Sequence, residues 1–148
     1  MKSNIKKPVI VSACLLGLDT RYDGRGAFSP LVAERLKECA FIPVCPEQLG
    51  GFATPRPKAA IVSGSGADVL CGKTRVIDES GVDVTGRFIK GAEAVLKIAR
   101  MCGATVALLK DKSPSCGVER IYNGTEAVSG EGVTTALLRK NSIEPTGF

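Results

Sequence analysis

Three short apolar runs, each soon followed by a cysteine, constrain this chain more than any other feature. Pro8-Val9-Ile10-Val11 leads to Cys14. Phe41-Ile42-Pro43-Val44 leads to Cys45, and Ala104-Thr105-Val106-Ala107-Leu108-Leu109 to the loop that holds Cys116. Runs this short, continuous and rich in β-branched residues read as buried strands. Pro43 makes the second an edge strand. Helical patterns lie between them. Ser29-Pro30 supplies a capping serine and a proline at the first helical position. From there to about residue 39, Leu31, Val32, Arg35, Leu36 and Cys39 form an inward stripe. Phe88, Ile89, Ala92, Val95, Leu96 and Ala99 hold the 3.6-residue period, with Val84-Thr85 as staple and cap and Gly103 as terminator. A last helix covers Val133 to Lys140 and ends at Asn141. The stretch from Gly64 to Gly81 reads as a small β excursion. In it Arg75-Val76-Ile77-Asp78 and Val82-Asp83-Val84 flank a Glu79-Ser80-Gly81 turn.

This alternation predicts an α/β fold: a single compact domain over the 148 residues, Rossmann-like, with a mainly parallel sheet flanked by helices and a small β excursion. Ligands of such sheets bind outside the carboxyl ends of the strands, and right-handed crossovers bring those ends to one edge. Cys14, Cys45 and Cys116 are therefore expected to converge. Cys39 and Cys102 read as small buried hydrophobes, and Cys71 as an incidental thiol.

Composition narrows the chemistry. The chain has no histidine, which excludes Ser-His-Asp and Cys-His catalysis, His-ligated zinc and a histidine proton shuttle. It has no tryptophan, two tyrosines and five phenylalanines, which leaves little material for stacking on nucleic-acid bases. The net charge of +5 is scattered. It reads as a solvated basic surface, so no nucleic-acid partner is expected. No run is long enough to span a membrane. Met1-Lys2-Ser3-Asn4-Ile5-Lys6-Lys7-Pro8 is basic but lacks the apolar segment of a signal peptide. A cytoplasmic location is expected, and the sequon Asn123-Gly124-Thr125 then carries no weight. In a reducing compartment, cysteines point to metal binding or catalysis rather than disulfides.

Three converging thiols have three readings. They are packed side chains without a joint role, a structural zinc site, or ligands of an iron–sulfur cluster. Structural zinc normally takes four ligands, often from CxxC pairs, and no CxxC occurs here. Three protein ligands on a four-iron cluster leave one iron open to a substrate. In Cys45-Pro46-Glu47 the glutamate is either a helix-starting surface residue or a general acid or base beside the thiols. In Ser113-Pro114-Ser115-Cys116-Gly117 the hydroxyls serve turn chemistry or bond to a substrate or a cluster sulfur. Gly50-Gly51 and Gly117 would let backbone approach a ligand. Ala67-Asp68-Val69-Leu70-Cys71-Gly72-Lys73-Thr74 is close to a phosphate-binding loop. It has alanine at its first position and a strand, not a helix, after it, which argues against nucleotide binding.

Taken together, Val11-Ser12-Ala13-Cys14-Leu15-Leu16-Gly17, Arg21-Tyr22-Asp23-Gly24, Cys45-Pro46-Glu47-Gln48-Leu49-Gly50-Gly51, Thr54-Pro55-Arg56-Pro57, Asp83-Val84-Thr85 and Lys112-Ser113-Pro114-Ser115-Cys116-Gly117 resemble the thiouracil desulfurase (desulfidase) family. These bacterial proteins were long grouped as a domain of unknown function, and the resemblance spans about residues 8–143. It implies a 4Fe–4S cluster held by Cys14, Cys45 and Cys116, with one iron not ligated by protein that takes the sulfur of a thiolated base. It also implies assistance from Glu47 and from Ser113, with Ser115 and Ser12 as alternatives to the latter. The implied partners are a small thiolated base and the iron–sulfur assembly machinery.

The implied reaction exchanges C=S for C=O. It is a hydrolysis with no net electron transfer. Tyr22, Arg25, Phe28, Phe52 and Arg56 are candidates to line the pocket. Two rivals stand beside this reading: a metal-free cysteine persulfide sulfurtransferase, and a non-catalytic iron–sulfur or RNA-binding module.

Overall fold

The computed structural model describes residues 6–148. The expectation for the basic N-terminus, so far as it rests on residues 1–5, lies outside the described residues. The central sheet is parallel, with strand order β2-β1-β5-β8 for β1 (Val9–Ser12), β2 (Phe41–Val44), β5 (Val106–Leu109) and β8 (Glu144–Gly147). Val11 stands opposite Pro43 across the β1–β2 pair, and Pro43 sits on an edge strand, where its missing N–H costs nothing. Side chains alternate across the sheet. Ile10, Ala107 and Leu109 join a core with Val95, Leu96, Ala99 and Leu138 from α4 (Thr85–Cys102) and α5 (Val133–Lys140). Val11 and Leu108 face the other way, onto Val32 and Leu36 of α1 (Pro30–Leu36). The sheet is thus covered on both faces, as its unbroken apolar strands require. No helix among the described residues is long and apolar enough to cross a membrane.

Helix ends follow local chemistry. The Ser29 hydroxyl accepts from the Val32 N–H and Pro30 opens α1, as read from the sequence. The helix stops at Leu36, short of residue 39. Only Val32 and Leu36 of the expected stripe are buried, while Leu31 and Arg35 face solvent. In α4 the buried face is the expected one, and Gly103 closes the helix at φ 71°. The cap differs: Val84 holds the N-cap position, and the Thr85 hydroxyl donates to Asp83 Oδ1 (2.6 Å) and accepts from the Val76 N–H.

The excursion is only partly β. α3 (Gly66–Leu70) begins at Ser65, whose side chain forms a capping box with Asp68. β3 (Ala59–Ile61) pairs antiparallel with β4 (Val76–Asp78). The expected Val82-Asp83-Val84 partner strand is reduced to the single bridge Ile77–Asp83 around a Gly81 turn. Lys73-Thr74 lies after α3 and before β4, so no helix follows it and the phosphate-loop reading stays excluded.

Three strands are absent from the sequence reading. The hairpin of β6 (Arg120–Asn123) and β7 (Glu126–Ser129) turns at Gly124-Thr125, with Gly124 at φ 66°. A glycine at the first loop position between two short strands is a hairpin signal, where the sequence reading takes Asn123-Gly124-Thr125 only as a sequon. β8 carries Pro145 and Gly147 and has no apolar run. It is a strand because it pairs with β5 in register, Ala107 opposite Pro145.

α2 (Pro46–Leu49) lies against α4, and the contact depends on missing side chains. A Cβ on Gly91 would overlap the Pro46 carbonyl, and one on Gly50 the Arg87 carbonyl. Gly91→Ala is therefore expected to push α2 off α4 and lower stability by about 2 kcal/mol. A urea midpoint equal to that of the unchanged chain would contradict this contact.

Candidate active site

The sheet topology turns three separated cysteines into neighbours. β1 ends at Ser12 and passes into a 3₁₀ turn, Ala13–Leu16, which carries Cys14. β2 ends at Val44, and Cys45 is the N-cap of α2. β5 ends at Leu109 and runs into the loop that carries Cys116. All three cysteines line one cavity of about 300 Å³, together with Ser12, Glu47, Arg56 and Ser113. The expected convergence is present. Cys39 and Cys102 lie elsewhere and are half-buried rather than buried, and Cys71 is exposed.

The Cys116 loop is fixed from both sides. On one side, Asp111 Oδ1 accepts from the N–H groups of Val118, Glu119 and Arg120 at 2.9–3.2 Å. On the other, N–H groups of Gly132, Val133 and Thr134 donate to Gly117, Pro114 and Ser115 carbonyls. The Thr135 hydroxyl donates to the Cys116 carbonyl at 2.9 Å. Gly117 serves this folding: a Cβ there would overlap the Ser113 and Arg120 carbonyls. The expectation that Gly117 and Gly50 admit a ligand is thus replaced by contacts within the chain itself. Gly51 is a turn residue at φ 95° with open space around it.

Burial alone would raise the Asp111 carboxyl, but backbone N–H groups hold it below the usual carboxylate range. A depressed carboxyl contributes stability above its unfolded pKa of about 3.9, and loses it as pH falls through the folded value. Asp111→Ala should therefore cost roughly 1–2 kcal/mol at pH 7, allowing for partial exposure. The gap between variant and parent should narrow as pH falls through the folded pKa of Asp111. Urea midpoints across this range check the sign; a gap that widens in acid would refute it.

The three serines have distinct roles. The Ser113 hydroxyl oxygen accepts from the N–H groups of Ser115 (3.1 Å) and Cys116 (3.0 Å). A hydroxyl has two lone pairs and one proton. With both lone pairs engaged, Ser113 faces the cavity as a donor. Ser115 is buried against the Thr134 hydroxyl at 2.9 Å and does not line the cavity. Ser12 lines it and accepts from the Lys110 N–H.

Arg56 organises the opposite wall. Its side chain is 3% exposed. Nε donates to Glu47 Oε1 at 3.1 Å, and Nη1 donates to the Ala53 carbonyl and the Thr54 hydroxyl. Nη2 donates to the Thr20 carbonyl at 2.8 Å and lies 3.9 Å from Cys45 Sγ. Those contacts engage all five guanidinium N–H groups. The Glu47 side chain is 17% exposed, and Oε2 accepts no hydrogen bond from the described residues. Glu47 does start a helix, as its plainer reading had it, and it also lines the cavity.

Of the candidate lining residues, Tyr22 and Arg56 line the cavity. Arg25 is exposed, Phe28 is 60% exposed, and Phe52 packs edge-to-face on Phe88 at 5.5 Å. Lys58, Lys110, Lys112 and Tyr122 also line it, beyond the candidates the sequence offers. The lysines carried no spacing signal, and Tyr122 belongs to the unread hairpin.

The donor set fits a metal–sulfur group. Burial pushes the Cys14 thiol up to about 11, against the pull of Lys110 and Arg21. Burial also raises Cys116, with only partial relief from Ser12. Sulfurs this desolvated carry charge best when bound to metal, and metal coordination deprotonates a thiol outright. Arg21, Arg56, Lys58, Lys110 and Lys112 outnumber Glu47 and Asp111 around the cavity, which suits a trio of thiolates. Among the described residues no three Cys, Asp or Glu side chains are placed to hold a single ion. The thiols surround a cavity rather than close on a point.

Comparison with known proteins agrees with this architecture. The family model of 2-thiouracil desulfurase matches residues 9–146. The chain is 43% identical over 135 residues to the uncharacterised protein YbbK of Bacillus subtilis (strain 168), covering 89% of each. It is similar to the solved structure of the [4Fe-4S]-dependent thiouracil desulfidase TudS, with 43% identity and a TM-score of 0.82. That match covers 96% of this chain and 91% of the other. A match running from β1 to β8 takes in every loop that lines the cavity, and the chain belongs to the 2-thiouracil desulfurase family.

Proposed function

We propose that this protein converts a thiolated pyrimidine base such as 2-thiouracil to the oxo base with release of sulfide, without redox change. Water supplies the oxygen, and the sulfur leaves as hydrogen sulfide. The observation that carries this reading is the meeting of Cys14, Cys45 and Cys116 round one cavity with Glu47 and Ser113. In it the three cysteines hold a 4Fe–4S cluster and leave one iron without a protein ligand. When bound, the cluster supplies a soft Lewis-acidic iron suited to sulfur. The chain's own groups do the rest. Arg56 fixes Glu47 through Oε1, and Oε2 takes a proton from the attacking water. Ser113 donates its hydroxyl proton toward the base, because both its lone pairs are engaged. The reading implies a single iron–sulfur domain, a reducing cytoplasmic setting and loading by the iron–sulfur assembly machinery.

The test is purification without oxygen, reconstitution with iron and sulfide, and assay of sulfide release from 2-thiouracil. About four irons per chain with sulfide release are expected. Absence of bound iron would return the persulfide sulfurtransferase to first place. Iron without turnover would favour a sensing role. Glu47→Gln is expected to keep its iron and to lose about 10²-fold or more in rate. A variant that turns over at the parental rate would remove Glu47 from the chemistry.

A further inference from the structure

On the wall of the cavity one lysine lies over both tyrosines of the chain. Lys58 Nζ lies 4.7 Å from the ring centroid of Tyr122 and 5.9 Å from that of Tyr22. Lys58 precedes β3, Tyr122 is on β6, and Tyr22 is in the loop whose carbonyl accepts from the Arg56 N–H. All three residues line the cavity. Lys58 forms no ion pair among the described residues, and its Nζ donates to no oxygen there. Within the chain its partners are two π faces. Tyr22 has a second cation, Arg21, at 5.8 Å, so the Tyr122 face depends more on Lys58.

The geometry points to Tyr122 and Lys58 as the recognition pair for the substrate ring. The assignment rests on the thiolated-base reading above. A flat heterocycle that enters the cavity meets the Tyr122 face where Lys58 now lies. A cation over a partly exposed ring contributes less than a base stacked on that ring. The base therefore displaces Lys58 from the face toward the base's own edge. There the ammonium finds what it lacks in the ligand-free chain, a carbonyl oxygen to accept from it. Stacking fixes the plane of the base. The lysine fixes its rotation within that plane, and so selects which edge carries the sulfur inward. Lys58 and Tyr122 are positioning residues for binding.

Uracil provides a probe that needs no turnover. Its affinity for the cluster-loaded protein is read by calorimetric titration, beside iron content and the steady-state constants for 2-thiouracil. Tyr122→Ala is expected to weaken uracil binding about tenfold and raise KM by a similar factor, with kcat and iron content held within about twofold. Tyr122→Phe, which keeps the ring, should bind as the parent does. Lys58→Met should weaken uracil binding about fivefold to tenfold, and Lys58→Gln should recover part of it. Parental uracil affinity in Tyr122→Ala overturns the assignment. So does a loss in Tyr122→Phe equal to that in Tyr122→Ala. Failure of the unchanged protein to bind uracil overturns it as well, whether or not sulfide is released. Sulfide release that fails while uracil binding follows the expected order would instead refute the desulfurase reading and leave a base-binding clamp.

Discussion

Replacing Arg56 with methionine is expected to lower stability by about 3 kcal/mol and to remove most desulfuration activity. Among the described residues its guanidinium alone touches the Thr20 carbonyl, the Ala53 carbonyl, the Thr54 hydroxyl, the Cys45 sulfur and the Glu47 carboxylate together. Methionine fills the volume but leaves the Glu47 charge without its partner. Breaking one side of a buried pair costs about 3–5 kcal/mol, and the partial exposure of Glu47 favours the lower end. Arg56→Lys keeps the charge but not the fork. One ammonium cannot span Glu47, Thr20 and Ala53 at once, so lysine should restore part of the stability and little of the activity. Urea unfolding with an unchanged slope, run beside sulfide release, separates the two effects. A loss under about 1 kcal/mol in the methionine variant would mean that the Arg56 contacts do not hold this wall together.

Cysteine replacement should divide the six thiols cleanly into two sets. Cys116→Ala, Cys14→Ala and Cys45→Ala are each expected to lose most of the bound iron and to release sulfide only at background. Cys71→Ala is expected to keep about four irons and the parental rate. The division follows from place: the first three line the cavity, while Cys39, Cys71 and Cys102 lie outside it. Cys116 is buried in a loop held by Asp111 and the start of α5, so its alanine variant removes a sulfur with little strain. Iron content and the visible absorption of the reconstituted protein provide the readout. Full iron in Cys116→Ala would undo the ligand assignment.

The parts legible in the sequence are those whose signal is local. Short β-branched runs marked β1, β2 and β5, and their ends located the three thiols before any contact was visible. Ser29-Pro30 and Gly103 marked helix ends because capping is a matter of a few adjacent residues. What stayed hidden depends on distant partners. Glu144-Pro145-Thr146-Gly147 is a strand only because β5 lies beside it. The contact of Gly91 with Pro46 joins elements far apart in the chain. Arg56 looked like one lining residue among several, and its role became visible only when Thr20, Cys45, Glu47 and Ala53 gathered round it. Gly124-Thr125 is different: a glycine at the first position of a tight turn is a local signal, which the sequon reading of Asn123-Gly124-Thr125 leaves unused.

The placement of the three thiols on separate strand ends carries one more consequence. Cys14, Cys45 and Cys116 meet only after β1 has paired with both β2 and β5. An extended chain offers no such trio, so whatever the trio binds is bound more tightly by the folded form. Such a ligand raises the apparent melting temperature by mass action. If that ligand is the proposed cluster, chains that lack it would be the first to unfold and be degraded. The abundance of the protein would thus follow its cofactor supply without a dedicated regulator.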